Sequence, residues 1–246
     1  GIEAMPYFNT VHINRPLSNV SVRYTWSEGI ADEVFPVVPV QKESDIFFIY
    51  SRDHLRLEET LRANHAESNV VGFDYSTATY TLEEHSLKEL VSDRDRMNAD
   101  APLNLDVDAT EDVTQRLMIR REVDVMTICF TTTSWANNLS VASANVWDTN
   151  TSNPVGDILT ATASCLRNGF IRPNSAVMGW EVMRILKTNS ITMDTIKFTQ
   201  RGIVTEEIVA SLFDLDNLYV GRASRVTSAE GAAETTGFIW GKDLLV

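Results

Sequence analysis

The sequence predicts a mixed α+β fold in which the strands and the longest helix occupy separate stretches of the chain. Two strand-like runs lie at 45–50 and 70–82, and a stretch without glycine or proline follows at 109–131. From 153 onward, short helical and strand patterns alternate, which is typical of a separate α/β unit. With 246 residues, 43% hydrophobic and 22% charged, the chain has the composition of a globular protein with a sizeable core.

The first forty residues are expected to be extended. Residues 1–24 contain several proline or small polar breaks and no helical period, so we predict an arm that lies on another surface. The segment ADEVFPVVPV at 31–40 places Pro36 and Pro39 inside a run of valines. Because proline lacks a backbone donor, this segment is predicted to be an extended edge and not a central strand.

A long hairpin is predicted next. DIFFIY at 45–50 is a short apolar run, and in VVGFDYSTATYTL at 70–82 alternate residues share one face. That face carries Phe73, Tyr75, Thr77 and Thr79. The intervening 51–68 is polar and long for a turn, so the two strands should form a projecting hairpin whose tip adds little to its own core.

The clearest local prediction is a long helix from Ala109 to about Thr131. Asp108 is a favourable N-cap with Glu111 three residues on, and Asp112 and Arg116 form an i, i+4 ion pair. The predicted apolar stripe contains Val113, Leu117, Val125 and Ile128, and Arg120 and Arg121 interrupt it. A helix that is only partly apolar is suited to lie across a sheet or an interface.

After a Ser/Asn/Thr-rich linker at 137–153, Asn153 and Pro154 predict the start of another helix, and Gly169 is placed to end it. Its predicted inner face is Ile158, Ala161, Thr162, Cys165 and Leu166. Strands are predicted at 175–178, 218–226 and 244–246, and helices at 180–186 and from Thr205 to near Asp214. We expect a further strand or two after Val246.

The residues contain no pattern that predicts a catalytic, cofactor or metal site. His12, His54, His65 and His85 have no metal-ligand spacing, and phosphate-binding and nucleophile motifs are absent from the sequence. In the Asp93–Arg96 run each acid has an arginine beside it, which lowers the carboxyl pKa and makes a poor proton donor. We therefore interpret this run as a salt-bridge ladder.

The net charge and the cysteine content limit the functional class and the compartment that the sequence predicts. The net charge of −13 disfavours a dedicated nucleic-acid binder, because an acidic surface repels phosphate groups. Cys129 and Cys165 lie far apart among apolar residues, so we expect both to be buried and reduced. No bilayer-length apolar run or signal peptide is visible in the sequence, and a reducing cytoplasm is expected.

Several segments, read in order, resemble a known family. ADEVFPVVPV, DRDRMNADAPLNLDVDATE, RREVDV and RNGFIRPNSAVMGWEVMRIL are similar to segments of the major capsid proteins of tailed bacteriophages, which have the Hong Kong 97 fold. The resemblance implies an N-terminal arm at 1–40 and an extended loop at 41–91. It also implies a peripheral domain with a spine helix at 92–150 and an axial domain at 151–246.

The same resemblance implies a structural, non-enzymatic protein. It would form hexamers and pentamers of an icosahedral head around double-stranded DNA, assembled in the host cytoplasm, with decoration, scaffolding and portal proteins as further partners. Because the hairpin tip and the 93–96 run are highly charged, we predict intersubunit ion pairs there. The residues are Arg52, Arg56, Glu58, Arg62 and Glu67 in the tip, with Asp93, Arg94, Asp95 and Arg96.

Two other interpretations stay open at this point. The same fold could form an encapsulin-like compartment around an enzyme cargo, or the chain could be an unrelated cytoplasmic α/β enzyme or binding module. The state of the purified chain separates the last alternative from the first two, since a stable monomer with a deep pocket would favour it.

Overall fold

The computed structural model describes residues 26, 28–99, 103–135, 137–141, 146–149, 152–197 and 204–246. The chain divides into two compact units, Val37–Ser86 and the remainder. The predicted N-terminal arm at 1–24 lies outside the described residues. The boundaries of the four predicted domains stay predictions.

The unit at 37–86 is an antiparallel ribbon of β1 (Ser44–Tyr50) and β2 (Tyr75–Thr81). Its register pairs Ser44 with Thr81 and Tyr50 with Tyr75, which confirms the predicted pairing of the two runs. The second strand is shorter than predicted, because 70–74 lies outside it. The long connection contains a 3-10 turn at Asp53–Leu55 and a tight turn at Asn64–His65.

In the larger unit, the prediction that 31–40 is extended throughout was wrong at its start. Residues Ala31–Val34 form a short helix, α1, and 36–40 is neither helical nor paired as a strand. The backbone N–H groups of Ile30 and Ala31 donate to the carboxylate of Glu122, 92 and 91 residues further along the chain. A helical turn whose first donors are satisfied in this way needs no local N-cap, so the local sequence did not reveal it.

Two helices follow, and both differ from their predictions. The Asp93–Arg96 run belongs to α2 (Asp93–Asn98), where Ser92 accepts from the backbone N–H of Asp95 at 3.1 Å. The long helix α3 spans Leu105–Phe130, so Asn104 and not Asp108 occupies its N-cap position. The predicted ion pair between Asp112 and Arg116 is present at 2.6 Å.

The C-terminal part alternates helices and strands as predicted. Its elements are α4 (Pro154–Gly169), β3 (Ser175–Gly179), α5 (Trp180–Thr188), α6 (Ser190–Ile196), α7 (Glu206–Leu212), β4 (Asn217–Gly221), β5 (Ser224–Val226), β6 (Thr236–Phe238) and β7 (Leu244–Leu245). The predicted strand at 218–226 is two strands, because β4 pairs in parallel with β3 whereas β5 pairs with β6. Helix α6 was not predicted.

Helix α4 begins and ends in different ways. The predicted N-terminus is correct, since the side chain of Asn153 accepts from the backbone N–H of Gly156 at 3.0 Å and Pro154 is the first helical residue. The predicted C-terminus was wrong in detail, because Gly169 is still helical and Phe170 takes the left-handed conformation at φ 58°. Leu166, predicted to face inward, is 51% exposed.

The three-stranded sheet has the order β4-β3-β7 and separates two apolar clusters. Ala176 and Met178 of β3 belong to the cluster that includes Ile158 of α4. Val177, between them, belongs to the cluster with Val125 and Cys129 of α3. Because successive strand residues point to opposite faces, helix α3 covers one face of the sheet and helices from 154–212 cover the other.

Candidate assembly surface

The β1–β2 ribbon exposes large apolar side chains on both of its faces. Phe48 and Tyr75 form an edge-to-face pair with ring centroids 5.5 Å apart, and Tyr50 and Phe73 lie 6.4 Å apart. Nevertheless Phe48 is 60% exposed and Phe73 is 70% exposed. The exposed apolar set of this unit is Val37, Val38, Val40, Ile46, Phe47, Phe48, Ile49, Tyr50, Leu55, Leu57, Leu61, Val70, Val71, Phe73, Tyr75 and Leu82.

Apolar exposure of this extent is unusual for a two-stranded ribbon that acts alone. Isolated hairpins are marginally stable in water, and soluble monomers rarely leave contiguous apolar patches of more than a few hundred Å² uncovered. The β1 run has consecutive apolar residues at 46–50, so either face of the ribbon carries hydrophobic side chains. These features identify the ribbon as an apolar surface that the described residues of its own unit leave uncovered.

The connection between the two strands carries many polar side chains, and the contacts of its arginines are with residues close in sequence. Arg56 pairs with Asp53 at 2.8 Å, and Arg62 donates to the hydroxyl of Ser68 at 3.4 Å. At the tip, His65 has a φ of 63° and thus takes the left-handed conformation that glycine favours. Arg52, Arg56, Glu58, Arg62 and Glu67 are all exposed, and Glu58 and Glu67 have no cationic partner among the described residues.

The second predicted charged group lies on α2 in the other unit. Arg96 binds Asp93 at 2.7 Å and Asp106 at 2.9 Å, and these carboxylates raise the pKa of the guanidinium above its usual range, with Asp106 the larger cause. Asp95 accepts from Ser92, whereas Arg94 has no acidic partner within the described part of the chain. Asp93, Asp95 and Arg96 therefore each have a partner within the chain. The run predicted as a salt-bridge ladder is a short helix that Ser92 caps.

Sequence reasoning missed the carboxylate that joins three distant segments. Glu122 is 2% exposed and accepts hydrogen bonds from Ile30 N–H at 2.9 Å, Ala31 N–H at 3.0 Å and Trp240 Nε1–H at 2.6 Å. Its position on α3 gave a signal, since 122, 125 and 129 follow helical spacing and Val125 and Cys129 are buried. The sequence did not predict the burial of Glu122, because an acidic residue on a charged helix is normally exposed.

Trp240 sits against the sheet with almost no free space around it. A Cβ atom on Gly221 would lie 2.1 Å from the indole, and one on Gly179 would lie 1.9 Å from the carbonyl oxygen of Gly241. The ring of Phe130 packs edge-to-face on the indole at 5.7 Å. These two glycines end neighbouring parallel strands, so the absence of side chains at both positions lets Trp240 reach from the sheet to α3.

The two cysteines and the grouping of possible metal ligands bear on reactivity and metal binding. Burial and, secondarily, the charge of Glu122 raise the pKa of the Cys129 thiol to about 11, so this cysteine is protonated at neutral pH. Cys165 is half-buried, not fully buried as predicted, and both thiols are free. Within the described ranges, no three His, Cys, Asp or Glu side chains are grouped to hold a metal, and no helix has the length and hydropathy of a bilayer span.

Comparisons with known proteins connect this architecture to phage proteins. No protein-family model matches the chain. The major capsid protein of Burkholderia phage BcepMu is 27% identical over 233 residues, which is 94% of this chain and 74% of that protein. The major capsid protein of Pseudomonas phage JBD67 is 28% identical over 234 residues, 93% of this chain and 74% of its own length.

A solved structure shows a similar fold. The chain superposes with a TM-score of 0.69 on the crystal structure of a phage-related protein from Bordetella bronchiseptica, at 21% identity, covering 94% of this chain and 75% of that one. The α+β architecture is thus shared with a protein of known structure. Over almost its whole length, this chain is a homologue of proteins curated as major capsid proteins of two bacteriophages.

Proposed function

We propose that this chain is the structural wall subunit of an icosahedral phage head. In this proposal it has the Hong Kong 97 fold, forms hexamers and pentamers, and encloses double-stranded DNA without catalysing a reaction. The observation that carries the proposal is the similarity to two major capsid proteins, which extends over 93–94% of the chain and therefore includes the exposed ribbon.

The proposal assigns a role to each part of the chain. Residues 1–40 would form an arm, 41–91 an extended loop over a neighbouring subunit, 92–150 a peripheral domain and 151–246 an axial domain. The ribbon supports the second assignment, because its exposed apolar side chains would gain a favourable environment under a neighbouring subunit. Obligate interfaces of about 2,000 Å² or more are the size class in which such surfaces occur.

The acidic character of the chain is compatible with a DNA container. A subunit of net charge −13 repels phosphate groups, so a wall made from it would hold the genome by enclosure and not by adhesion. We expect the particle to be assembled in the host cytoplasm and to become the virion shell. Portal, scaffolding and decoration proteins are the further partners that such a shell would use.

Charge complementarity between copies would set the register of the loop. Glu58 and Glu67 are exposed and lack a cation of their own chain among the described residues, and Arg56 is 73% exposed despite its bond to Asp53. Arg94 on α2 is in the same situation as the two glutamates. Groups of this kind can pair across an interface at little cost, since they give up few intrachain contacts.

Imaging the purified chain tests the proposal. We expect capsomer rings or closed particles by negative-stain electron microscopy, and particles from infected or expressing cells should contain double-stranded DNA or be competent to package it. A chain that stays monomeric at every concentration overturns the proposal. Closed particles that hold a protein cargo and no DNA would instead favour the encapsulin-like compartment.

Two charge-reversal variants, one in the hairpin tip and one control in the other unit, test whether the tip takes part in assembly. Arg56→Glu should raise the concentration needed for assembly by roughly tenfold, which corresponds to about 1.4 kcal/mol. Lys242→Glu is the matched control, since Lys242 is 78% exposed and lies in the other unit. Equal assembly of both variants would remove Arg56 from the intersubunit contacts.

A further inference from the structure

The segment that precedes the ribbon contributes little to the apolar core of its own unit. We call residues 28–36 the strap; it contains helix α1 and ends where the ribbon unit begins, at Val37. Within the strap only Ala31 is buried, whereas Ile30 and Val34 are partly buried at the edge of an apolar cluster. In strand β3, by contrast, residues 176–179 are all buried. The strap therefore has much less apolar burial to hold it in place than the sheet has.

The polar attachment of the strap is concentrated on one carboxylate. Glu122 Oε1 accepts from the N–H of Ile30 at 2.9 Å, and Oε2 accepts from the N–H of Ala31 at 3.0 Å. A further contact, the ion pair of Asp32 with Arg121, is exposed to water and contributes little. Because a single side chain accepts both backbone bonds, the strap should attach and detach as one piece.

The C-terminal end of the strap borders a cavity of about 250 Å³. Val34 and Phe35 line one part of this cavity, and Trp135, Tyr219 and Leu245 line another. The side chain of Phe35 is 39% exposed, so its ring does not fill the space. Side chains that border a cavity lose packing contacts on that side. The strap is thus held by Glu122 near its N-terminal end and is loosely packed at its C-terminal end.

The side that receives the strap is tightly packed by comparison. Trp240 is 0% exposed and donates its indole N–H to Glu122 Oε1 at 2.6 Å. Ile239, the preceding residue, is 4% exposed and donates its backbone N–H to the carbonyl oxygen of Ala223 at 2.8 Å. Because Trp240 is anchored without the help of the strap, its N–H keeps the carboxylate oriented when the strap is absent. Trp240 is therefore a positioning residue for the strap.

We propose that the strap is a releasable element of the fold. Residues 28–36 leave Glu122 together while the sheet and its helices stay folded, and they return to a carboxylate that Trp240 keeps in place. The nine residues span up to about 30 Å when extended, so their release removes the constraint on one of the two chain connections of the ribbon unit. The inference goes beyond the proposed function and does not depend on it, because the motion occurs within a single chain.

Native-state hydrogen exchange of the unassembled chain measures this opening. The amides of Ile30, Ala31, Val34 and Phe35 are all hydrogen-bonded in the closed strap. We expect them to share one opening constant that is at least about a hundredfold larger than that of the β3 amides and depends less on urea. An opening constant and a urea dependence equal to those of β3 would mean that the strap separates only in global unfolding, which would overturn the inference.

Trp240→Phe tests the positioning role. The variant keeps an aromatic ring but loses the N–H donor, so the opening constant of the strap should rise about tenfold relative to that of β3. Phe130→Leu is the matched control, because the Phe130 ring packs on the indole at 5.7 Å but cannot donate a hydrogen bond to Glu122. The control should change strap and β3 exchange by the same factor. An equal change of both in Trp240→Phe would reduce Trp240 to a packing residue and refute its positioning role.

A double-mutant cycle shows whether the two segments are coupled through the carboxylate. In a Glu122→Ala background, Trp240→Phe should have no further effect on the opening of the strap. A tenfold effect that persists there would contradict the coupling. The wild-type exchange and the Trp240→Phe ratio decide the inference even where the double variant is too unstable to purify. A chain that never assembles would overturn the proposed function and leave these measurements unaffected.

Discussion

Replacing Glu122 by alanine tests the contact that joins α1, α3 and the C-terminal segment. The substitution removes the acceptor of three donors: the backbone N–H groups of Ile30 and Ala31 and the indole N–H of Trp240. Because Ala31 and Trp240 are 6% and 0% exposed, water cannot readily replace the lost acceptor at either of them. The segment at 28–36 would then lose its main polar attachment to α3.

The magnitude follows from the number and type of the bonds. A hydrogen bond to a charged group contributes about 1.5–3 kcal/mol, and a buried donor left without a partner costs about 1–3 kcal/mol. Ile30 is only half-buried and can rebind water, so the three bonds do not add in full. We expect the free energy of unfolding to fall by about 3–5 kcal/mol for Glu122→Ala and by less for Glu122→Gln, which keeps one acceptor oxygen.

Hydrogen exchange of the unassembled chain measures this effect at the bonds themselves. The amides of Ile30 and Ala31 should exchange at least about a hundredfold faster in Glu122→Ala, since each 1.4 kcal/mol corresponds to a factor of ten. Urea unfolding followed by tryptophan fluorescence gives the global value.

The neighbouring residue provides the control. Arg121 pairs with Asp32 of α1, but the two side chains are 45% and 71% exposed, so Arg121→Gln should cost less than about 1 kcal/mol. A loss of less than about 1 kcal/mol in Glu122→Ala, or equal losses in both variants, would refute the reasoning that the buried carboxylate holds these segments together.

Three further substitutions and one titration test the packing around Trp240 and the buried groups. Gly221→Ala should destabilise the chain by at least about 2 kcal/mol in thermal unfolding, because the added Cβ would lie 2.1 Å from the indole of Trp240. Gly169→Ala, with nothing within 4 Å of the added atom, should be neutral or stabilising, and the reverse order of stabilities would contradict the packing described. Thr192→Val should stabilise by about 1 kcal/mol, because the buried Thr192 hydroxyl has no hydrogen-bond partner among the described residues, and a loss of stability would show that it has one. The Cys129 thiol should ionise near pH 11 by ultraviolet absorbance, and since the unfolded thiol ionises near 9.0, its contribution to stability should be complete below pH 9 and lost as pH rises to about 11; a folded-state titration near 9 would contradict this.

The sequence predicted correctly those helices and strands that are determined by residues within or next to them. The two ribbon strands and their pairing, the N-terminus of α4 at Asn153 and Pro154, and the strand β3 all agree with the structure. In each case, side chains within a few residues determine the outcome, through period-two apolar runs or a capping oxygen.

The errors occurred where a distant residue decides the local structure. Asp108 has the better local capping pattern, but α3 begins at Leu105, where Asp106 binds Arg96 of the preceding helix at 2.9 Å. The turn at Ala31–Val34 depends on Glu122, which lies about ninety residues away. No local pattern could have supplied either contact.

The candidate surface was predicted only in part. The charged, core-poor character of the hairpin tip was visible in the sequence, and the structure shows those charges exposed. The apolar exposure of the ribbon could be seen only in the structure, because an apolar run in a sequence predicts burial without saying which residues bury it. Whether the charged tip residues pair between subunits stays a prediction.

A high-resolution electron cryomicroscopy map of the assembled particle tests the central claim most directly. If copies of the chain cover one another, Phe48, Phe73 and Tyr75 of the ribbon will contact neighbouring subunits and lose most of their 60%, 70% and 60% exposure. A closed particle in which these side chains face solvent, or a chain that remains solitary with the ribbon uncovered, would contradict the account.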